Sequence, residues 1–206
     1  MVDDSGSTTT TDPNFTNRVD TINTFLNKYG SLTNLTYSYS FFGTNTSTYS
    51  MTLNSFGNYT SNVFGTASNV TTAMNAFLNM SGDAGWTYYT SAFTRLEAII
   101  SSDLIANANE NYIVVFMSDG EPNDPNLAST SSAELAEITS ITNTLMGLAP
   151  AGRITVSSVY FGAPDAQAED NLTTMAALGG GQFINTNVTT SYSIDNLITV
   201  PTQACN

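Results

Sequence analysis

The chain has 206 residues, with 4 basic side chains against 17 acidic ones, a formal charge of −13, no His and one Cys. That balance leaves no basic stripe to neutralise a phosphate backbone or an anionic membrane surface. Without imidazole or paired thiols it also excludes Ser-His-Asp triads, Cys-His dyads, zinc held by His or thiolates, and internal disulfides.

A hydrophobic content of 41% belongs to a folded chain rather than a disordered one, and the length fits a single domain over 1–206. Only 10% of the residues are charged, so solubility rests on Asn, Ser and Thr. That composition suits an exported protein, and we expect an extracellular or cell-surface location. Met1-Val2 looks like the tail of a strand, which makes the sequence look like a piece of a larger protein.

In chain order, Val2 and Asp3 read as a strand end passing into a polar turn over Ser5–Asp12. Pro13 suits a first helical position, and Phe15, Val19, Ile22, Phe25, Leu26 and Tyr29 recur at helical spacing up to Gly30. Leu35–Gly43 and Thr48–Phe56 alternate and read as the two strands of a hairpin. Val70, Met74, Phe77 and Leu78 mark a short helix, and Tyr88–Leu104 a longer one. Asn111–Met117 is a continuous apolar run, expected as a strand buried on both faces. There follow a helix over Ser132–Leu148, a strand over Arg153–Phe161, a helix over Glu169–Leu178, a short strand over Gln182–Asn185 and a helix over Tyr192–Val200. This alternation predicts an α/β fold: a doubly wound, mainly parallel sheet with one antiparallel edge strand and helices on both faces. Such sheets bind ligands at the carboxyl ends of their strands.

Three of those ends carry oxygen donors. Asp3-x-Ser5-x-Ser7 closes the first strand, Gly85-Trp86-Thr87 leads into the third helix, and Ser118-Asp119-Gly120 closes the apolar strand. Alternation lets Asp3, Ser5 and Ser7 face one point. Carboxylates and hydroxyls together are the ligand set of a hard cation such as Mg²⁺.

Asp3-x-Ser5-x-Ser7, Thr87 and Asp119 resemble the metal-ion-dependent adhesion site of a von Willebrand factor A domain. The order of elements resembles that family's Rossmann-like sheet over nearly the whole chain. The resemblance implies that Ser5 and Ser7 bind the ion directly, and that the directness of Thr87 depends on conformational state. It implies that Asp3 and Asp119 bind directly or through water, and that a vacant position accepts an Asp or Glu carboxylate from a protein partner. Mg²⁺ is the expected ion, with Mn²⁺ or Ca²⁺ also admitted. Three features depart from the pattern: the first strand is nearly absent, a Thr run, Thr8–Thr11, follows Ser7 where a large apolar residue is common, and Trp86, Tyr88 and Tyr89 surround Thr87 where small residues are common.

Trp86, Tyr88 and Tyr89 surround Thr87 and read either as core fillers or, with Glu121, as a partner-contacting rim. Asp4, Asp12, Asp83, Glu121 and Asp124 read as solvated loop acids, or as holders of a second cation or an anionic surface that draws the metal. Arg18, Lys28 and Arg153 read as surface charges. Cys205 either pairs with a Cys outside this sequence or is an idle thiol. The expected function is non-catalytic, metal-dependent adhesion or protein binding, because no Lys or Arg clamp and no His base accompanies the motif. The alternative is a structural module of a fibre, pilus or envelope assembly with a stabilising or vestigial metal site. Nucleic acid and membrane insertion are not expected.

Overall fold

A strand that is apolar on both faces must lie inside a sheet covered on both sides. The computed structural model, which describes residues 1–80, 85–125 and 131–187, builds that arrangement. Its strands are β1 (Val2–Asp3), β2 (Ser40–Phe42), β3 (Thr46–Ser50), β4 (Ser55–Gly57), β5 (Tyr112–Ser118), β6 (Ile154–Tyr160) and β7 (Gly180–Asn185). Its helices are α1 (Thr8–Thr11), α2 (Thr16–Tyr29), α3 (Ala67–Leu78), α4 (Tyr89–Ala106), α5 (Ser131–Met146) and α6 (Ala166–Leu178). The strands form one seven-stranded sheet in the order β4-β3-β2-β1-β5-β6-β7. β1 runs parallel to β2 and β5, and β6 and β7 continue the parallel half. β3 runs antiparallel to β2, and the short β4 flanks it at the edge.

Alternate residues of β5 feed two cores. Tyr112, Val114 and Phe116 pack with Phe42 against Tyr89, Phe93 and Leu96 of α4, Ile138 of α5 and Leu172 of α6. Met117 turns to the other face, with Val2, Tyr39, Phe41 and Val159, beneath Val70, Ala73 and Phe77 of α3. Phe116 sits under two rings, 4.9 Å from Phe42 and 5.0 Å from Tyr89 between centroids. This aromatic contact fixes α4 over the centre of the sheet.

Local chemistry moves several boundaries. The expected strand Thr48–Phe56 breaks in two, because the chain turns at 51–54 with Asn54 at φ 49° and Ser50 Oγ accepting from the Leu53 amide. Within Leu35–Gly43 the ladder proper is Ser40–Phe42, and Tyr37 bridges to Gly65 instead. The polar turn after Ser5 contains a helical turn, α1, whose Thr8 hydroxyl donates to the Ser5 carbonyl. Pro13 does not open α2. The chain reverses there, Phe15 takes φ 58°, and the Asp12 carboxylate accepts from the amides of Asn17 and Arg18.

The expected helix Tyr192–Val200 and Cys205 lie outside the described residues. Among the described residues no helix is long and apolar enough to cross a membrane.

Candidate metal centre

β1 lies beside β5 with Val2 opposite Met117, so the two strands end together and Asp3 meets Ser118 and Asp119. After Asp3 the chain folds over its own carboxylate: the Ser5 amide donates to Asp3 Oδ1 at 2.9 Å, a local turn typical of Asp. Ser118 Oγ donates to the other oxygen, Asp3 Oδ2, at 2.5 Å. Ser5 Oγ lies 3.1 Å from Ser7 Oγ, and Ser7 Oγ donates to Asp119 Oδ1 at 2.8 Å. The Thr11 hydroxyl takes Asp119 Oδ2. Asp3, Ser5, Ser7 and Asp119 thus belong to one connected polar group at the strand ends.

The backbone brings Thr87 to the same place. The Gly6 amide donates to the Gly85 carbonyl at 2.7 Å, and the Asn123 amide donates to the Thr87 carbonyl at 3.0 Å. The Tyr89 hydroxyl donates to the Gly120 carbonyl at 3.0 Å. Three loops are therefore laced together around buried Asp3, Ser5, Thr87 and Asp119.

Gly162 supports this from behind. A Cβ placed there would fall 1.8 Å from the Asp119 carbonyl oxygen, which no backbone can accommodate without moving. Gly162→Ala is expected to displace Asp119. It should cost about 1–3 kcal/mol of stability, as overpacking does, and weaken any cation affinity of the site together with it. Urea unfolding and a Mg²⁺ titration on the same variant check both.

Electrostatically the site is short of positive charge. Burial, and then the charge of Asp119, push the Asp3 carboxyl up to about 7, against the pull of its bonds from Ser118 and Ser5. Asp119 is also raised, chiefly by burial, while Thr11, Ser7 and Arg18 pull it back. The nearest cation is committed elsewhere. Arg18 is 1% exposed, its Nε donates to Asp12 Oδ2 at 3.1 Å, and its NH1 donates to the Asp3 main-chain carbonyl at 3.0 Å. Arg18 is therefore an internal ion-pair residue, not the surface charge expected from its place on a helix. Asp12 and Asp4 belong to it, Asp4 Oδ1 lying 3.6 Å from NH1.

The aromatic rim divides. Trp86 is 60% exposed and its amide is held by Thr44 Oγ1 at 2.8 Å, so it is no core filler. Tyr89 is 0% exposed and packs edge-on against Phe42 and Phe116. Tyr89 is therefore the core filler of its two readings and not part of a partner-contacting rim. Tyr88 is half-buried, and Glu121 is exposed. Glu121 is raised by partial burial and by the charges of Asp165 and Glu134. Asp124 Oδ2 accepts from the Thr90 amide at 2.8 Å, so this acid caps the start of α4 rather than facing solvent. Asp83 lies outside the described residues.

Sequence reasoning gave Ser118, Thr11 and Arg18 no role in the site. Ser118 is visible only as the residue before Asp119, and Thr11 is hidden in a run of four identical residues.

Among the described residues no group of three or more His, Cys, Asp or Glu side chains is placed to hold a metal ion; the groups around Asp3 and Asp119 are the hydroxyls of Ser118, Ser7 and Thr11. Such a donor set fits a hard cation and not a soft one. No protein-family model matches the chain, and no curated protein matches it.

Proposed function

We propose that the ends of β1 and β5 form a divalent-cation site and that the domain uses it to hold a carboxylate of a protein partner. One observation carries this reading. Two buried carboxylates, Asp3 and Asp119, stand in one hydroxyl network, and the neighbouring Arg18 makes its carboxylate contacts with Asp4 and Asp12. Like charges in a dry site are costly, and a cation between them removes the cost.

Asp3, Ser5, Ser7, Thr87 and Asp119 would hold the ion, as their resemblance to a von Willebrand factor A adhesion site implies. Mg²⁺ fits the donors, with Mn²⁺ or Ca²⁺ as substitutes. When bound, it supplies a net positive point that an Asp or Glu of the partner can coordinate. The chain's own residues do the rest. Ser118 and the Ser5 amide orient Asp3, Ser7 and Thr11 orient Asp119, and exposed Trp86 offers an apolar rim beside Thr87. The reading is of a binding domain, not an enzyme. Its low charge content and richness in Asn, Ser and Thr support an extracellular or surface setting.

Calorimetric titration with Mg²⁺ tests it. One site is expected, and Asp3→Ala or Asp119→Ala should each weaken it by more than about 100-fold, since even outer-shell partners are worth 10–100-fold. Absence of heat with Mg²⁺, Mn²⁺ and Ca²⁺ alike would overturn the proposal.

A further inference from the structure

α4 buries one flank, through Tyr89, Ala92, Phe93, Leu96, Ile99 and Ile100. Thr90, Ser91, Thr94 and Arg95 fall on the other flank, at the spacing of a single helix face. Across from that face stand the turn from β2 to β3, at 44–46, and Asn58, just past β4. Together they border an open hollow of about 600 Å³. Two bonds fix its position. Thr44 Oγ1 accepts from the Trp86 amide at 2.8 Å, and the Thr90 hydroxyl donates to Asp124, the cap of α4.

The border is polar and almost uncharged. Among the described residues Ala98 is its one apolar side chain, and no Asp or Glu belongs to it. An apolar ligand has little there to bury against. The lining groups are hydroxyls and carboxamides, which both donate and accept. Arg95 supplies the one charge. It is half-buried, and no carboxylate pairs with it among the described residues. Its NH1 donates to the Tyr59 carbonyl at 3.1 Å, and its NH2 donates to Asn58 Oδ1. Those bonds hold the guanidinium in place and use two of its five N–H groups. Thr46 Oγ1 is buried and has no hydrogen-bond partner among the described residues. A buried hydroxyl in that state is a cost that a ligand's polar group removes.

We infer that this hollow binds a sugar acid, with the carboxylate on Arg95 and the ring hydroxyls on Thr46, Ser91, Thr94 and Asn58. The match is one of charge and of hydrogen-bonding type. A carboxylate brings one negative charge to one guanidinium and meets its planar fork. A phosphate monoester brings about 1.5–2 negative charges, more than a single Arg offsets in a chain of net charge −13. A sugar ring presents hydroxyls on every side, each able to give and take a bond, as the lining does. The inference is independent of the cation site, so binding is measured in chelator, where the carboxylate has no metal to meet.

Amide NMR in chelator tests it, with glucuronate, galacturonate and N-acetylneuraminate as probes. At least one should shift the Thr46, Ser91 and Thr94 amides and the Arg95 Nε–H, with a dissociation constant on the order of 1 mM. Glucose, which lacks the carboxylate, and acetate, which lacks the ring, should each bind at least about tenfold more weakly. Arg95→Gln should weaken the best probe at least about tenfold. Thr46→Val should weaken it about threefold without lowering the melting temperature, because it removes the buried unpaired hydroxyl. Absence of shifts at these groups with all three acids would overturn the proposal, as would undiminished binding to a folded Arg95→Gln chain. Glucose or acetate binding as tightly as the acids would overturn it too, and a sulfated glucose binding more tightly would overturn the carboxylate assignment. Asp119→Ala should leave this binding intact, which separates it from failure of the cation site.

Discussion

Replacing Arg18 by Met is expected to lower the unfolding free energy by about 3–5 kcal/mol, the range for breaking a buried ion pair from one side. The side chain is 1% exposed and donates from Nε to Asp12 Oδ2, from NH2 to the Asp12 carbonyl and from NH1 to the Asp3 carbonyl. Its guanidinium also lies 4.4 Å over the Phe15 ring, at the residue held at φ 58°. Met restores most of the volume but none of the charge. Asp4 and Asp12 would then stay buried without their cation, and the carbonyl of Asp3 would lose its donor. Because that carbonyl belongs to β1, the damage should reach the candidate site. Urea unfolding checks it: a loss under about 1 kcal/mol would mean that Arg18 does not anchor β1. The double change Arg18→Met with Asp12→Asn should recover part of the loss, since it removes the stranded charge as well.

Asp119→Asn should change stability with opposite sign in the absence and presence of Mg²⁺. Without the ion, Asp3 holds its proton up to about 7 in the fold, against an ordinary value of 3.8. The folded state thus binds more protons than the unfolded one between those values. The stability contributed by this group is full below pH 4 and is lost as the pH rises through 7. Removing the Asp119 charge relieves part of that loss. The amide can still accept from Ser7, and Thr11 has the Ser7 carbonyl as an alternative acceptor. At pH 7.5 in chelator, Asp119→Asn should therefore be more stable than the parent by about 1 kcal/mol, a shift of under one pKa unit. At a hundred times the dissociation constant, Mg²⁺ should add about 2.7 kcal/mol to the parent and little to the variant. Thermal melts at pH 5 and 7.5, with and without Mg²⁺, read both signs. A variant less stable than the parent in chelator at pH 7.5 would sink the like-charge argument.

What the sequence revealed depended on whether an element carries its own signal. The β5 run and the α4 periodicity announce themselves, because burial on one or both faces dictates residue type position by position. The donor pattern around Asp3 was legible for a related reason, since a strand end converts spacing into direction. Tertiary partners were not legible. Arg18 sits on an amphipathic helix like any surface Arg, and only the fold shows that Asp4 and Asp12 converge on it. Tyr89 and Trp86 are three positions apart and similar in type, yet one is core and the other is exposed. Their difference comes from where α4 begins, a matter of one turn. The split of Thr48–Phe56 was hidden because Asn54 can enter the left-handed region without a Gly to mark the turn.

Trp86 has one more consequence. It is the chain's one tryptophan, adjacent to Thr87, with its ring in solvent and its amide tied to Thr44. Under selective excitation the indole emission therefore comes from a single point beside the candidate centre. A label-free optical reporter is thus part of the molecule: cation uptake that moves the Thr87 loop changes the emission, and a partner covering the rim shields the ring from a soluble quencher such as acrylamide.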